Sequence, residues 1–116
     1  MNLFKSIGIG IDIIEVKRFK RIPYTSHKNF YKKIFSTSEI NYCLKFKEPY
    51  KHFAGKFAIK EAVKKAISDD ITLLDIQTGH KNSKPIVSIK GKNHSFLVSI
   101  SHDHDMAVAV VISERI

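Results

Sequence analysis

The chain has one cysteine, no tryptophan, three prolines and five glycines in 116 residues. A lone cysteine, Cys43, cannot close a disulfide within the chain, and no Cys/His cluster at zinc spacing accompanies it. Disulfide scaffolds and zinc fingers are therefore excluded, and Cys43 reads as a small, semi-buried hydrophobe. No apolar run approaches the ~20 residues that a membrane-spanning helix needs, and residues 1–6 show no apolar segment followed by a small-residue cleavage site. The expectation is a soluble, cytoplasmic protein of one domain, residues 1–116, with too little chain for a second. Acidic residues are also scarce, 11 against 20 Lys and Arg, for a net charge of +9. The imbalance is local. Residues 1–65 hold 15 basic and 5 acidic side chains, whereas residues 66–116 hold 5 and 6. A basic surface of this kind steers phosphates or an acidic partner toward it.

Residues 6–14 alternate strictly, with Ile7, Ile9, Ile11 and Ile13 on one face and Gly8, Gly10 and Asp12 on the other. Period two predicts a half-buried strand with the isoleucines in the core. The opposite face is bare, so another backbone or a ligand can approach closely beside Asp12. A short basic helix over 15–22 follows, ended by Pro23, and a second short helix is expected over 29–35. Ser36 and Glu39 have the spacing of a capping box, predicting a helix from there to about residue 46. Residues 49–67 contain no breaker but Gly55 and form the longest predicted helix, on which Ala54, Ala58, Glu61 and Lys65 share one narrow strip. Short strands are expected over 73–78, 85–90, 96–101 and 106–113, joined by tight turns. One strand, several helices and a closing antiparallel meander make an α+β fold.

Asp12 reads either as the N-cap of the segment after it or as a site carboxylate exposed by its glycine neighbours. Glu61 reads either as half of an ordinary i,i+4 pair with Lys65 or as a second site carboxylate. His102, in Ser101-His102-Asp103-His104-Asp105, sits where an apolar strand gives way to a hairpin tip, and alternating residues on so short a turn do not converge on one metal ion. Phe53 and Phe57 read as core packing, and Lys56, Lys60 and Lys64 as a solvated stripe. No phosphate-cradling glycine loop, nucleophile elbow or triad is present, so any catalysis must come from charge and metal.

Three segments taken together resemble holo-[acyl-carrier-protein] synthase, the short single-domain group of the 4′-phosphopantetheinyl transferases. They are Gly8-Ile9-Gly10-Ile11-Asp12-Ile13-Ile14-Glu15, the stretch Phe53-Ala54-Gly55-Lys56-Phe57-Ala58-Ile59-Lys60-Glu61-Ala62-Val63-Lys64-Lys65-Ala66, and Val98-Ser99-Ile100-Ser101-His102-Asp103. Their order and spacing span essentially the whole chain. The resemblance implies transfer of the phosphopantetheine arm of coenzyme A to a serine of acyl carrier protein in fatty acid biosynthesis, releasing adenosine 3′,5′-bisphosphate. It implies Asp12 and Glu61 as ligands of Mg²⁺, a donor set that suits this hard cation. By the same resemblance Lys65 faces the phosphates, Lys56 contacts the nucleotide end and His102 lies beside the coenzyme A phosphates. The serine proton passes to Glu61 or to a metal-bound water. Arg18 and Arg21 fall where the family docks the acidic helix of its carrier protein, and the assembly implied is a homotrimer with active sites between subunits. Nucleic acid and membrane are not implied as partners. A basic nucleic-acid-binding module and a catalytically dead adaptor are the competing readings.

Three positions depart from the family pattern. Ser68-Asp69-Asp70 replaces a glycine-containing turn near the phosphates, and its acids would repel phosphate if they pointed inward. Asn82-Ser83-Lys84-Pro85 stands where Asn-Gly-Lys-Pro is usual. Met106 replaces an aromatic residue.

Overall fold

The alternating segment forms strand β1 (Ile7–Glu15) in a computed structural model that describes residues 4–116. Residues 1–3 of the expected domain and cleavage-site segment lie outside the described residues. The alternation is real, but its two faces are the reverse of the expectation. Ile9 and Ile11 are 67% and 59% exposed, whereas Gly10 and Ile14 are buried. The cause is the long helix, α4 (Pro49–Ala66), which lies against the glycine face. A Cβ on Gly10 would stand 1.9 Å from the Ala62 carbonyl oxygen, and one on Gly8 1.8 Å from that of Ala66. Of the two approaches the bare face allowed, a neighbouring backbone fills it along Gly8 and Gly10.

Between β1 and α4 the chain makes three short helices: α1 (Lys17–Lys20), α2 (Lys28–Lys32) and α3 (Thr37–Leu44). The first is shorter than expected because β1 runs on to Glu15. Ser36 caps α3 as its spacing implies: the Glu39 amide donates to Ser36 Oγ at 3.3 Å and the Ser36 amide to Glu39 Oε1 at 2.8 Å. Proline occupies the first turn of α4, where its missing N–H is no loss. Beyond α4, residues 73–75 form a capped 3₁₀ turn, not the start of a strand. The remaining chain is β2 (Ile76–Lys81), β3 (Lys84–Ile89), β4 (His94–Asp103) and β5 (Met106–Arg115).

These strands do not form one meander. β2 and β3 make a separate hairpin, while β5 lies between β1 and β4 in an antiparallel sheet of order β1-β5-β4. Its inner face carries Gly10, Asp12 and Ile14 opposite Val111, Ala109 and Ala107, a flat floor on which α4 can rest. At the β2–β3 turn Asn82 and Ser83 both have positive φ, 52° and 65°, the backbone of a two-residue hairpin that glycine would adopt with less strain. Under α4, Tyr31, Phe35 and Phe53 pack with ring centroids 4.7 to 6.1 Å apart, confirming Phe53 as core.

The predicted lysine stripe is corrected. Lys64 is exposed, but Lys56 and Lys60 are buried because beyond its first turn α4 is enclosed except along the strip of Phe57, Glu61, Lys64 and Lys65. Lys60 is fully inside, donating to Glu39 Oε1 at 2.7 Å and to the carbonyls of Ile34 at 2.8 Å and Leu73 at 3.0 Å. Glu39 Oε2 accepts from the amide and the hydroxyl of Thr78. Burial alone would raise the Glu39 carboxyl, but the hydrogen bonds from Lys60 and Thr78 outweigh it and hold the group below its ordinary range.

Two stability predictions follow from these contacts. Gly10→Ala drives a carbon into the Ala62 carbonyl and is expected to cost about 3 kcal/mol by urea denaturation, the upper end for overpacking. Lys60→Met leaves a buried carboxylate without its counter-ion and is expected to cost about 3–5 kcal/mol, with Glu39→Gln in the same chain recovering part of the loss. Wild-type midpoints in either single variant would contradict the packing described.

Candidate active site

The crossing of β1 and α4 assembles the first group of expected site residues. Asp12 lies on the helix-facing side of β1, so it does not serve as an N-cap, and α1 has no side-chain cap at all. Its Oδ1 is 3.2 Å from Lys65 Nζ, which also donates to the carbonyl of Ile11 at 2.9 Å. Ile11 belongs to an edge strand of the sheet, so the lysine covers an exposed stretch of backbone as well as a carboxylate. Glu61 stands one turn before Lys65 on the open strip of α4, next to the residue whose carbonyl abuts Gly10. Its carboxylate makes no hydrogen bond or ion pair with any described residue, so the simple i,i+4 pair with Lys65 is not formed. Two carboxylates and an ammonium thus share one end of the helix–strand contact.

Arg18 extends this surface. Its guanidinium carbon lies 5.5 Å over the ring of Phe57, which is one turn before Glu61 on the same open strip. Arg21, at the end of α1, is exposed with Lys17 and Lys20 on the same short helix. A basic rim therefore leads directly to Glu61. The acids of the departing turn are accommodated: Asp69 pairs with Lys92 at 3.3 Å and Asp70 is exposed.

Lys56 and His102 meet elsewhere, in a cleft at the other half of α4. His102 belongs to β4, not to the hairpin tip, and its ring packs beside Gly55, with Nε2 3.3 Å from the Lys51 carbonyl. Lys56 is 5% exposed and forms the cleft floor, donating to Thr78 Oγ1 at 3.0 Å with its ammonium 4.6 Å from the centroid of Tyr42. Burial lowers this ammonium, and the neighbouring Cys43 and Glu39 only partly restore it. Cys43 itself is fully buried, its thiol pushed up to about 12, and it is chemically inert.

Sequence reasoning missed Glu39, Thr78, His52 and His80. Glu39 was visible only as a cap residue, although a glutamate three residues into a helix is also free to use its second oxygen elsewhere. His52 and His80 carried no motif, and the cleft they line joins α3, α4, β2, β3 and β4.

A sequence model of the 4′-phosphopantetheinyl transferase superfamily matches residues 8–111. The chain is 41% identical over 117 residues to the holo-[acyl-carrier-protein] synthase of a Geobacillus strain, covering 95% of this chain and 98% of that one. It is 38% identical over 108 residues to that of Thermodesulfovibrio yellowstonii, covering 90% and 96%. Among solved structures, the Bacillus anthracis synthase in complex with coenzyme A (3′,5′-ADP) superposes with a TM-score of 0.80 at 34% identity, covering 94% of this chain and 96% of that one. The Helicobacter pylori synthase in complex with coenzyme A gives 0.77 at 31% identity, covering 91% and 99%. On the match of the family model over most of the chain and on these relatives, the chain belongs to the 4′-phosphopantetheinyl transferase superfamily, in its holo-[acyl-carrier-protein] synthase group.

Proposed function

We propose that this protein transfers the 4′-phosphopantetheine arm of coenzyme A to a serine of apo-acyl carrier protein, giving holo-acyl carrier protein and adenosine 3′,5′-bisphosphate, in support of fatty acid biosynthesis. The observation that carries this reading is the gathering of Asp12, Glu61 and Lys65 at the β1–α4 crossing of a chain of this family. Among the described residues no three His, Cys, Asp or Glu side chains could hold a metal between them. A divalent ion held by Asp12 and Glu61 must then complete its shell with water and phosphate oxygens, as Mg²⁺ prefers and zinc does not. When bound, the ion neutralises negative charge on the pyrophosphate and the transferring phosphoryl group.

The serine oxygen forms the new bond to phosphorus as the bond to the bridging oxygen of the adenosine bisphosphate breaks. Lys65, a compact charge on a flexible stem, serves the phosphate oxygens as that charge moves. Glu61, without a partner among the described residues, takes the serine proton itself or holds the water that does. Arg18 and Arg21 attract the acidic carrier to α1, which sets its serine beside the open strip of α4. Lys56 and His102 serve the nucleotide end.

The assembly proposed is a cytoplasmic homotrimer with active sites between neighbouring copies. Its support is the outer face of the sheet, where Ile7, Ile9, Ile11 and Ile13 of β1 adjoin Ile112 of β5 and Leu97 of β4, all six exposed. A contiguous apolar face of this extent is the mark of an interaction surface. No helix of the described residues is long and apolar enough to cross a membrane. The single cysteine is a buried free thiol, consistent with a reducing compartment.

Intact-mass analysis of apo-acyl carrier protein incubated with this protein, coenzyme A and Mg²⁺ is expected to show the gain of one phosphopantetheine, abolished by EDTA. Asp12→Asn and Glu61→Gln are each expected to slow the transfer by on the order of 10²–10³, as loss of one stabiliser of transition-state charge does. No gain with several carrier proteins would overturn the assignment. Sedimentation should give three times the chain mass for the wild type and the mass of one chain for Ile11→Lys, with transfer lost in the variant. A wild-type monomer that transfers at full rate would refute the trimer.

A further inference from the structure

Lys65 has two carboxylates near it and pairs with the one on the other element. Glu61, one turn earlier on α4, stands in the order that favours an i,i+4 pair, yet it makes no hydrogen bond or ion pair with any described residue. The ammonium crosses to β1 instead, donating to Asp12 Oδ1 at 3.2 Å and to the Ile11 carbonyl at 2.9 Å. The second bond accounts for the choice. Ile11 lies on an edge strand, and its carbonyl gives the lysine a further acceptor beside the carboxylate of the next residue. The two side chains differ in access: Lys65 is 55% exposed and Asp12 only 15%, so the lysine is the outer member of the pair. No other described residue donates to the Asp12 carboxylate.

This arrangement and the metal site assigned to Asp12 and Glu61 compete for one carboxylate. A hard divalent ion such as Mg²⁺ binds a carboxylate oxygen at about 2.0–2.1 Å, and an ammonium already in contact with Oδ1 stands in its approach. An ion placed on Oδ2 would face the ammonium across a single carboxylate, two positive charges at close range. While Lys65 holds Asp12, the ion has Glu61 as its one free carboxylate of the pair. Releasing Lys65 costs two hydrogen bonds, so the ammonium needs an acceptor that carries more charge than a carboxylate and lies on the solvent side. A pyrophosphate is such an acceptor, and a half-exposed lysine on the open strip of α4 can turn to it about its own stem without disturbing the core.

We propose that Lys65 is a latch on Asp12: it keeps the metal carboxylate closed until the pyrophosphate of the nucleotide draws the ammonium onto its own oxygens. The inference rests on the transferase reading for the identities of ion and nucleotide, and it adds the order in which they assemble. The ion alone binds weakly; with the nucleotide seated it binds tightly, and by linkage it tightens the nucleotide by the same factor. A latch closed in about nine-tenths of molecules weakens binding of the ion alone about tenfold. The charge-neutralising set is then completed only around a bound substrate.

Mn²⁺, a paramagnetic substitute for Mg²⁺, reads this without turnover. Its free concentration is followed by electron paramagnetic resonance in titrations of wild type, Lys65→Met and Lys64→Met, with and without saturating coenzyme A, no carrier protein being present. Without coenzyme A, Lys65→Met is expected to bind Mn²⁺ about tenfold tighter than wild type, and with it less than about threefold tighter. Lys64→Met removes the same charge from the neighbouring exposed position and should match wild type in both series. Equal Mn²⁺ affinity of wild type and Lys65→Met without coenzyme A overturns the latch. So does an equal gain with and without coenzyme A, or an equal gain in Lys64→Met, because the lysine would then act through its field alone. These results leave the transferase reading intact. Failure of all three proteins to bind coenzyme A overturns that reading, and the latch with it.

Discussion

Helix α4 rests on β1 with only two glycines between the backbones, and the position of every group in the phosphate site follows from that contact. Asp12 is two residues beyond Gly10 on the same face of the strand, while Glu61 and Lys65 lie on turns of the helix whose carbonyls abut the glycines. Because the contact is made by main chain, the backbone positions of Asp12, Glu61 and Lys65 are set relative to one another without an intervening layer of side chains. That rigidity suits chemistry in which positioning and electrostatics supply most of the catalysis.

The other half of α4 is held by a different kind of interaction. Lys60 and Glu39 are almost completely removed from water, and between them they bind α3, α4, β2 and the turns after α2 and before β2. The pair would be expensive if its remaining hydrogen-bonding capacity were unmet; here three acceptors surround the ammonium and four donors reach the carboxylate. Through Thr78 the same network touches Lys56, so the buried charges that fix the helix also fix the floor of the cleft.

Much of this was legible in the chain. The capping box at Ser36, the extent of α4, the hairpin strands and the three motifs of the family all needed only local spacing. The errors have a common physical origin. The isoleucines of β1 satisfy period two whichever face is buried, and the decision belongs to a helix 40 residues downstream that needs a surface without side chains. Lys56 and Lys60 look solvated on a helical wheel because the wheel does not show that α4 is surrounded. Placing β5 in the centre of the sheet, with β1 and β4 flanking it, required long-range pairing that no short window contains. His52 and His80 gain meaning only when β2 is brought against α3 and α4.

Glycine has no smaller replacement, so any substitution at positions 8 or 10 adds at least one carbon where a helix carbonyl already stands. The isoleucines that alternate with them meet a looser requirement, since one aliphatic side chain can stand in for another of similar volume. A single nine-residue strand therefore carries two grades of evolutionary freedom, interleaved residue by residue. Drift along it should be confined to every second position, and a homologous strand that keeps its aliphatics but loses its glycines would have parted from this architecture despite the higher apparent similarity.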